Sequence, residues 1–204
     1  MRGINIYFVR HGETDHNRGL KLQGVTDIEL NETGLIQAVS TAEKIAKYSI
    51  QKIYSSDYMR AVQTAKVLEK HTGAEIITNP SLREIDMGEW EGADWERIKR
   101  LYPQYYSEWS KHLNDMPYPG GESGGDVLKR LDIIIAELKG LCFNNVAIVT
   151  HGGVIKVLLS SFMGIGQEKR FQIDIDNCSI SLVTYNPTTE KFLICYTNDI
   201  VHLK

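Results

Sequence analysis

Residues 4–17, "INIYFVRHGETDHN", run a largely apolar stretch straight into an arginine, a histidine, a glycine and a glutamate. Residues 145–153, "NVAIVTHGG", repeat the scheme: a continuous apolar run, then a histidine, then two glycines. Apolar runs of this kind, without polar alternation, are how strands read when helices cover both faces of a parallel sheet. In open α/β sheets ligands bind in the crevice beyond the carboxyl ends of the strands. Arg10, His11 and His151 all stand at such ends.

The chain around these two strands alternates short β-branched runs with longer amphipathic segments, the pattern of an α/β protein. From Asn31, a residue suited to capping, "GLIQAVSTAEKIAK" sets Leu35, Ala38, Ala42 and Ile45 on one helical face. "KIYSS" (52–56) reads as a second strand, and residues 57–70 as a helix with Ala61, Ala65 and Leu68 along one stripe. "EIIT" (75–78) reads as a third strand. Ser123 with Asp126 makes a capping box for a helix carrying Val127, Leu131, Ile135 and Leu138. A further helix is expected over residues 153–163, and "SISLVTYN" and "KFLICYTN" read as an antiparallel pair. Residues 79–122 hold four of the five prolines and all three tryptophans, so they are expected to cover one end of the sheet within a single domain spanning 1–204.

Composition narrows the functional classes. A chain of 204 residues buries roughly 70% of its unfolded surface, enough for a core without staples. The three cysteines, Cys142, Cys178 and Cys195, are odd in number and lack zinc or redox spacing, which fits a reducing, cytoplasmic setting. The amino terminus has too short an apolar stretch for a secretory signal, and no apolar run is long enough to span a membrane. With 23 basic against 26 acidic residues, no basic face announces nucleic acid or an anionic membrane. An anion must be bound locally.

Arg10, His11 and His151 at strand ends, joined by Arg60 in the first turn after "KIYSS", supply two guanidinium groups and two imidazoles to one pocket. Together with the N–H groups of helix starts they suit a small dianion, most naturally a phosphoryl group. A neutral His11 can attack phosphorus while the positive partners hold the charge of the transition state. No metal is demanded: His11, Glu13, Asp15 and His16 crowd one loop without an HExxH or cysteine pair to complete a site. A proton donor for the departing alkoxide is also required, and a carboxyl group beside the anion is favoured in its protonated form. Glu84 is well placed, with Glu13, Glu91 and Asp57 as rivals. His16, His71, His112 and His202 are assigned surface or structural roles.

The blocks "VRHGET" with Asn17, "LQGVTDIELNETGLIQA", "IYSSDYMRAVQTA", "LREIDMGEWEG", "YPGGES" and "VTHGG" resemble, in order and spacing, the successive motifs of the histidine phosphatase superfamily, the phosphoglycerate mutase-like proteins. The resemblance covers roughly residues 5–165. It implies a three-layer α/β/α sandwich on a mixed, mostly parallel sheet. It implies that His11 is the residue phosphorylated, that Arg10, Arg60 and His151 hold the phosphoryl group, and that Glu84 is the proton donor. Asn17, Gln23, Gly24 and Gly152 are implied to line the pocket. "IDMGEWEG" after Glu84 is similar to the small phosphatases of the family, including the broad-specificity and α-ribazole phosphate enzymes. The expectation is therefore a metal-independent, cofactor-free hydrolase of a small phosphomonoester, monomeric or homodimeric. A cofactor-dependent phosphoglycerate mutase and a non-catalytic phosphate-binding module are the alternatives. Substrate choice is placed in the aromatic residues of the covering segment, Trp95, Tyr102, Tyr105, Tyr106, Trp109 and Tyr118, which equally suit plain cover for apolar surface.

Overall fold

The structure, a computed structural model, describes residues 3–204. The first two positions of the expected domain lie outside the described residues. In chain order the elements are β1 (Ile4–Arg10), α1 (Asp15–Arg18), α2 (Glu32–Ile45), β2 (Lys52–Ser55), α3 (Met59–Thr72), β3 (Ile76–Thr78), α4 (Trp95–Leu101), α5 (Pro103–Trp109), α6 (Gly124–Lys139), β4 (Asn145–Thr150), α7 (Gly152–Met163), β5 (Ile180–Asn186) and β6 (Lys191–Asp199). The sheet order is β3-β2-β4-β1-β5-β6. The β3–β2, β2–β4 and β4–β1 pairs are parallel, whereas β5 and β6 run antiparallel beside β1.

Two cores lie on opposite sides of this sheet. Alternate residues of β1 go to different faces: Ile6 and Phe8 pack with α6 and α7, Tyr7 and Val9 with α2 and α3. The result is a three-layer α/β/α sandwich on a mixed sheet. Crossovers from β1 to β2 and from β2 to β3 move in one direction and carry α2 and α3 on one face. The return from β3 to β4 moves in the other direction and carries α6 on the opposite face, as right-handed crossovers require. Adjacent strands β1 and β4 thus send their following helices to opposite faces. The gap between their carboxyl ends is the crevice in which such sheets bind ligands.

Local signals hold to within a residue or two. Asn31 caps α2 through Gly34 N–H at 2.8 Å, and Ser123 with Asp126 forms the expected capping box. One detail of α2 differs: its buried stripe is Gly34, Ala38, Thr41, Ala42 and Ile45, while Leu35 is exposed. The stripe is turned by close contact, because a Cβ on Gly34 would lie 2.1 Å from the Glu13 carbonyl oxygen and one on Gly12 would lie 2.5 Å from that of Gly34. These two glycines let α2 press directly against the loop that follows β1. In α6, Ile134 takes the fully buried place expected of Ile135, which packs only partly buried against the same core.

Residues 79–122 lay α4 and α5 over the α6/α7 side. Trp90, fully buried, is their hub, with Trp109, Tyr118 and Tyr105 ring centroids at 5.0, 5.7 and 6.1 Å. Among the described residues no helix is long and apolar enough to cross a membrane.

Candidate active site

His11 immediately follows β1 and His151 immediately follows β4, so the two imidazoles face one another across the crevice with centroids 5.1 Å apart. Both are almost fully buried, at 3% and 0% exposed. His11 Nδ1 lies 2.7 Å from the Gly12 carbonyl oxygen. A carbonyl only accepts, so Nδ1 carries the proton and Nε2 keeps its lone pair. His151 is fixed in the other tautomer. Its Nδ1 accepts from Arg60 Nε at 3.2 Å, so its proton is on Nε2, 2.8 Å from Ser56 Oγ.

Arg60, from the first turn of α3, is completely enclosed. Besides His151 it donates to the carbonyls of Thr26 at 2.8 Å and Gly24 at 2.9 Å. Those two carbonyls belong to a loop whose N–H groups are gathered by one carboxylate: Glu91 accepts from Gly24, Val25 and Thr26 at 2.9, 3.3 and 2.9 Å. Arg10 extends from the end of β1 across Gly152 and donates to the Ile175 carbonyl at 2.7 Å. Its Nε is buried without a partner. Glu84 is 8% exposed and is held at the start of α7, where it accepts from Gly153 N–H at 3.1 Å and from Ile85 N–H at 2.9 Å.

Burial, reinforced by Arg60 and Arg10, holds the His11 pKa well below the ordinary imidazole value. The same burial, with Arg60, His11 and Arg10, does so for His151. Both rings are therefore neutral at physiological pH. Burial also lowers the pKa of both arginines, and Glu84 is the leading charge opposing it in each case. The arrangement offers an unprotonated ring nitrogen, fixed positive charge, an unsatisfied guanidinium donor and a carboxyl group in one buried recess. That combination suits a nucleophile, anion stabilisers and an acid.

The remaining expected residues arrive through the loop after β1. Asn17 caps back onto Thr14, and its Oδ1 accepts from Asn177 Nδ2 at 3.1 Å. Gln23 is buried between Thr14 Oγ1 at 2.8 Å and the Thr26 carbonyl at 3.3 Å. The rival carboxylates are occupied elsewhere: Asp57 pairs with Arg83, Glu13 with Arg18 and Asn31, and Glu91 with the 24–26 loop. Among the described residues no group of three or more His, Cys, Asp or Glu side chains is placed to hold a metal ion.

Several contributors escaped the sequence. Ser56 closes the strand stretch "KIYSS", which was a usable signal. Asn177, which also donates to the His11 carbonyl at 3.0 Å, sits in a loop with none. Arg130 fastens the Glu84 segment from α6, donating to the Ser81 and Glu84 carbonyls at 2.5 and 3.0 Å. A cavity of about 700 Å³ opens beside Arg10, Glu84 and Gly152. Of the six aromatic residues of the covering segment, Trp95, Tyr106, Trp109 and Tyr118 wall it; Tyr102 and Tyr105 pack against the core, and the Tyr105 hydroxyl donates to the Pro117 carbonyl at 2.9 Å.

A family model described as "Histidine phosphatase superfamily (branch 1)" matches residues 6–198. Among curated proteins, the phosphoglycerate mutase-like protein 4 of Arabidopsis thaliana is 37% identical over 160 residues, 75% of this chain and 68% of that one. A solved mycobacterial glucosyl-3-phosphoglycerate phosphatase in complex with VO3 superposes with a TM-score of 0.87 at 30% identity, covering 96% of this chain and 98% of that one. The phosphoserine phosphatase of Entamoeba histolytica in complex with 3-phosphoglyceric acid gives 0.88 at 25% identity, covering 98% and 100%.

Proposed function

The chain belongs to the histidine phosphatase superfamily, and from that premise we propose that it is a phosphomonoester hydrolase of small phosphorylated metabolites that works through a phosphohistidine at His11. The observation that carries the reading is the 2.7 Å contact between His11 Nδ1 and the Gly12 carbonyl, which leaves Nε2 unprotonated beside Arg10 and Arg60. Two relatives whose structures match are named as phosphatases of small phosphorylated compounds, which supports hydrolysis as the outcome.

In the first half-reaction Nε2 of His11 attacks phosphorus as the bond to the leaving alcohol oxygen breaks. Glu84 gives that oxygen its proton. Arg10 Nε and the guanidinium of Arg60 supply the positive field around the equatorial oxygens, where most phosphoryl-transfer catalysis originates, while neutral His151 faces His11 and holds Arg60 through its Nδ1. In the second half-reaction Glu84, now a carboxylate, takes a proton from water as the water oxygen attacks phosphorus. The P–N bond breaks, orthophosphate departs and His11 regains its neutral form. The 79–122 segment selects among leaving groups, and no metal enters either step.

The test is direct. During turnover of p-nitrophenyl phosphate, quenching without acid followed by mass spectrometry finds the added phosphoryl group on His11. EDTA leaves the rate unchanged, and His11→Ala lowers kcat by about four orders of magnitude or more. Activity that needs a divalent cation, or that survives in His11→Ala, overturns the mechanism. Rapid interconversion of phosphoglycerates in the presence of 2,3-bisphosphoglycerate, with little orthophosphate released, would instead assign the mutase reaction.

A further inference from the structure

Building on that reading, we propose that the cavity beside Arg10 contains a second anion subsite, made by Lys156 and Arg170, that receives a carboxylate carried by the leaving alcohol.

Lys156 lies one helical turn beyond Gly152 on α7 and forms part of the cavity wall. Among the described residues its ammonium group makes neither a hydrogen bond nor an ion pair. Its acidic neighbours, Asp174 and Glu84, influence it through space without pairing with it. Arg170, in the segment after α7, is 1% exposed and forms another part of the same wall. Its Nη1 is used by Asp115 at 2.5 Å and by the Gln167 carbonyl at 2.7 Å, but its Nη2 is buried without a partner. Native proteins rarely leave a buried guanidinium nitrogen unsatisfied, because its desolvation goes uncompensated. A lone cation and an orphaned donor on one wall call for an acceptor from outside the chain.

Charge counting decides which acceptor. Arg170 is balanced by Asp115, and Lys99, also on the wall, by Glu96 at 2.7 Å. His112 is kept towards its neutral form by burial and by Arg170. Arg10 and Glu84 belong to the phosphoryl site. One positive charge on the wall remains without an ion-pair partner among the described residues, that of Lys156, on which Asp174 acts only through space. A monoanionic carboxylate matches it, whereas a second phosphate dianion exceeds it. The carbon skeleton between the two anionic groups meets aromatic walls, Trp95, Tyr106, Trp109 and Phe171. Burial first, and then Arg10, hold the Lys156 pKa below its ordinary value against the opposing charges of Asp174 and Glu84.

3-Phosphoglycerate and glycerol 3-phosphate differ only in bearing a carboxylate or a CH2OH at the far carbon, so they isolate the subsite. The wild-type protein is expected to release orthophosphate from 3-phosphoglycerate with a kcat/KM at least about tenfold higher. In Lys156→Met that ratio falls to near one, chiefly through KM for 3-phosphoglycerate, and in Lys156→Arg most of it returns. Equal efficiencies in the wild type, or an unaltered ratio in Lys156→Met, overturn the inference. So does a preference for glycerol 1,3-bisphosphate over 3-phosphoglycerate. Calorimetric titration of His11→Ala with the same two monoesters separates this inference from the reading it rests on. Tighter binding of 3-phosphoglycerate upholds the subsite even if no ester is hydrolysed, and equal binding removes it even if hydrolysis is fast.

Discussion

A single carbonyl, that of Gly12, determines which nitrogen of His11 is free, and a single glycine, Gly153, determines where Glu84 can sit. A Cβ on Gly153 would fall 2.5 Å from Glu84 Oε1 and 2.9 Å from Ile85 Cδ1. Gly153→Ala therefore displaces the carboxyl group while helix α7, which favours alanine, is retained. Loss of a positioned acid costs typically 10²–10⁴-fold, so kcat/KM on an alkyl phosphate, which reports the first half-reaction alone, is expected to fall about a hundredfold. On p-nitrophenyl phosphate, whose leaving group needs no proton, the fall is much smaller. Equal losses on both esters would remove Glu84 from the proton-donor role. At this scale Arg10, His11, Arg60 and His151 were legible because strand ends in a parallel sheet converge whatever their separation in sequence. Lys156, Arg170 and Asn177 were not. Their importance comes from what surrounds them, including partners as distant as Asp115 and His11.

The elements divide the work between rigid strand ends and one loop, residues 24–26, held from both sides by side chains of opposite charge. Glu91 collects its N–H groups and Arg60 its carbonyls. Glu91→Gln turns one acceptor oxygen into a donor facing other donors, so the loop loosens and Arg60 loses its fixed seat. The expected result is a rise in KM of about tenfold with the secondary structure intact by circular dichroism; an unchanged KM would show that Arg60 needs no such brace. Element boundaries were readable because Asn31 and Ser123 cap where they should and because β1 and β4 are apolar without alternation. The stripes were less so. Leu35 lost its expected place because backbone contact at Gly12 and Gly34, invisible to periodicity, sets how α2 is rolled. Strand order came only with the family resemblance, since sequence alternation does not say which parallel strands are neighbours.

For the molecule as a whole, two buried neutral histidines set a pH dependence with a definite sign. In the unfolded chain both titrate near pH ~6.5, and in the folded protein both titrate well below the ordinary value. The unfolded state then binds more protons as pH drops below that point. Their contribution to stability is complete above it and is lost as pH falls towards the folded values, by up to about 1.4 kcal/mol per pH unit for each ring. The melting temperature of the phosphate-free protein should accordingly fall between about pH 7 and 5, and His11→Ala should flatten the decline. A melting temperature level across that range would mean that the rings charge freely in the folded state. Asp115 has a separate consequence. It fastens the cover to the scaffold at two places, the N–H groups of Gly124 and Gly125 at 3.0 and 2.7 Å and the guanidinium of Arg170. A chimaera that imported another protein's cover but kept this position 170 would strand a charge in the interior, so selectivity can be transplanted only as a matched pair of segments that lie 55 residues apart in the chain.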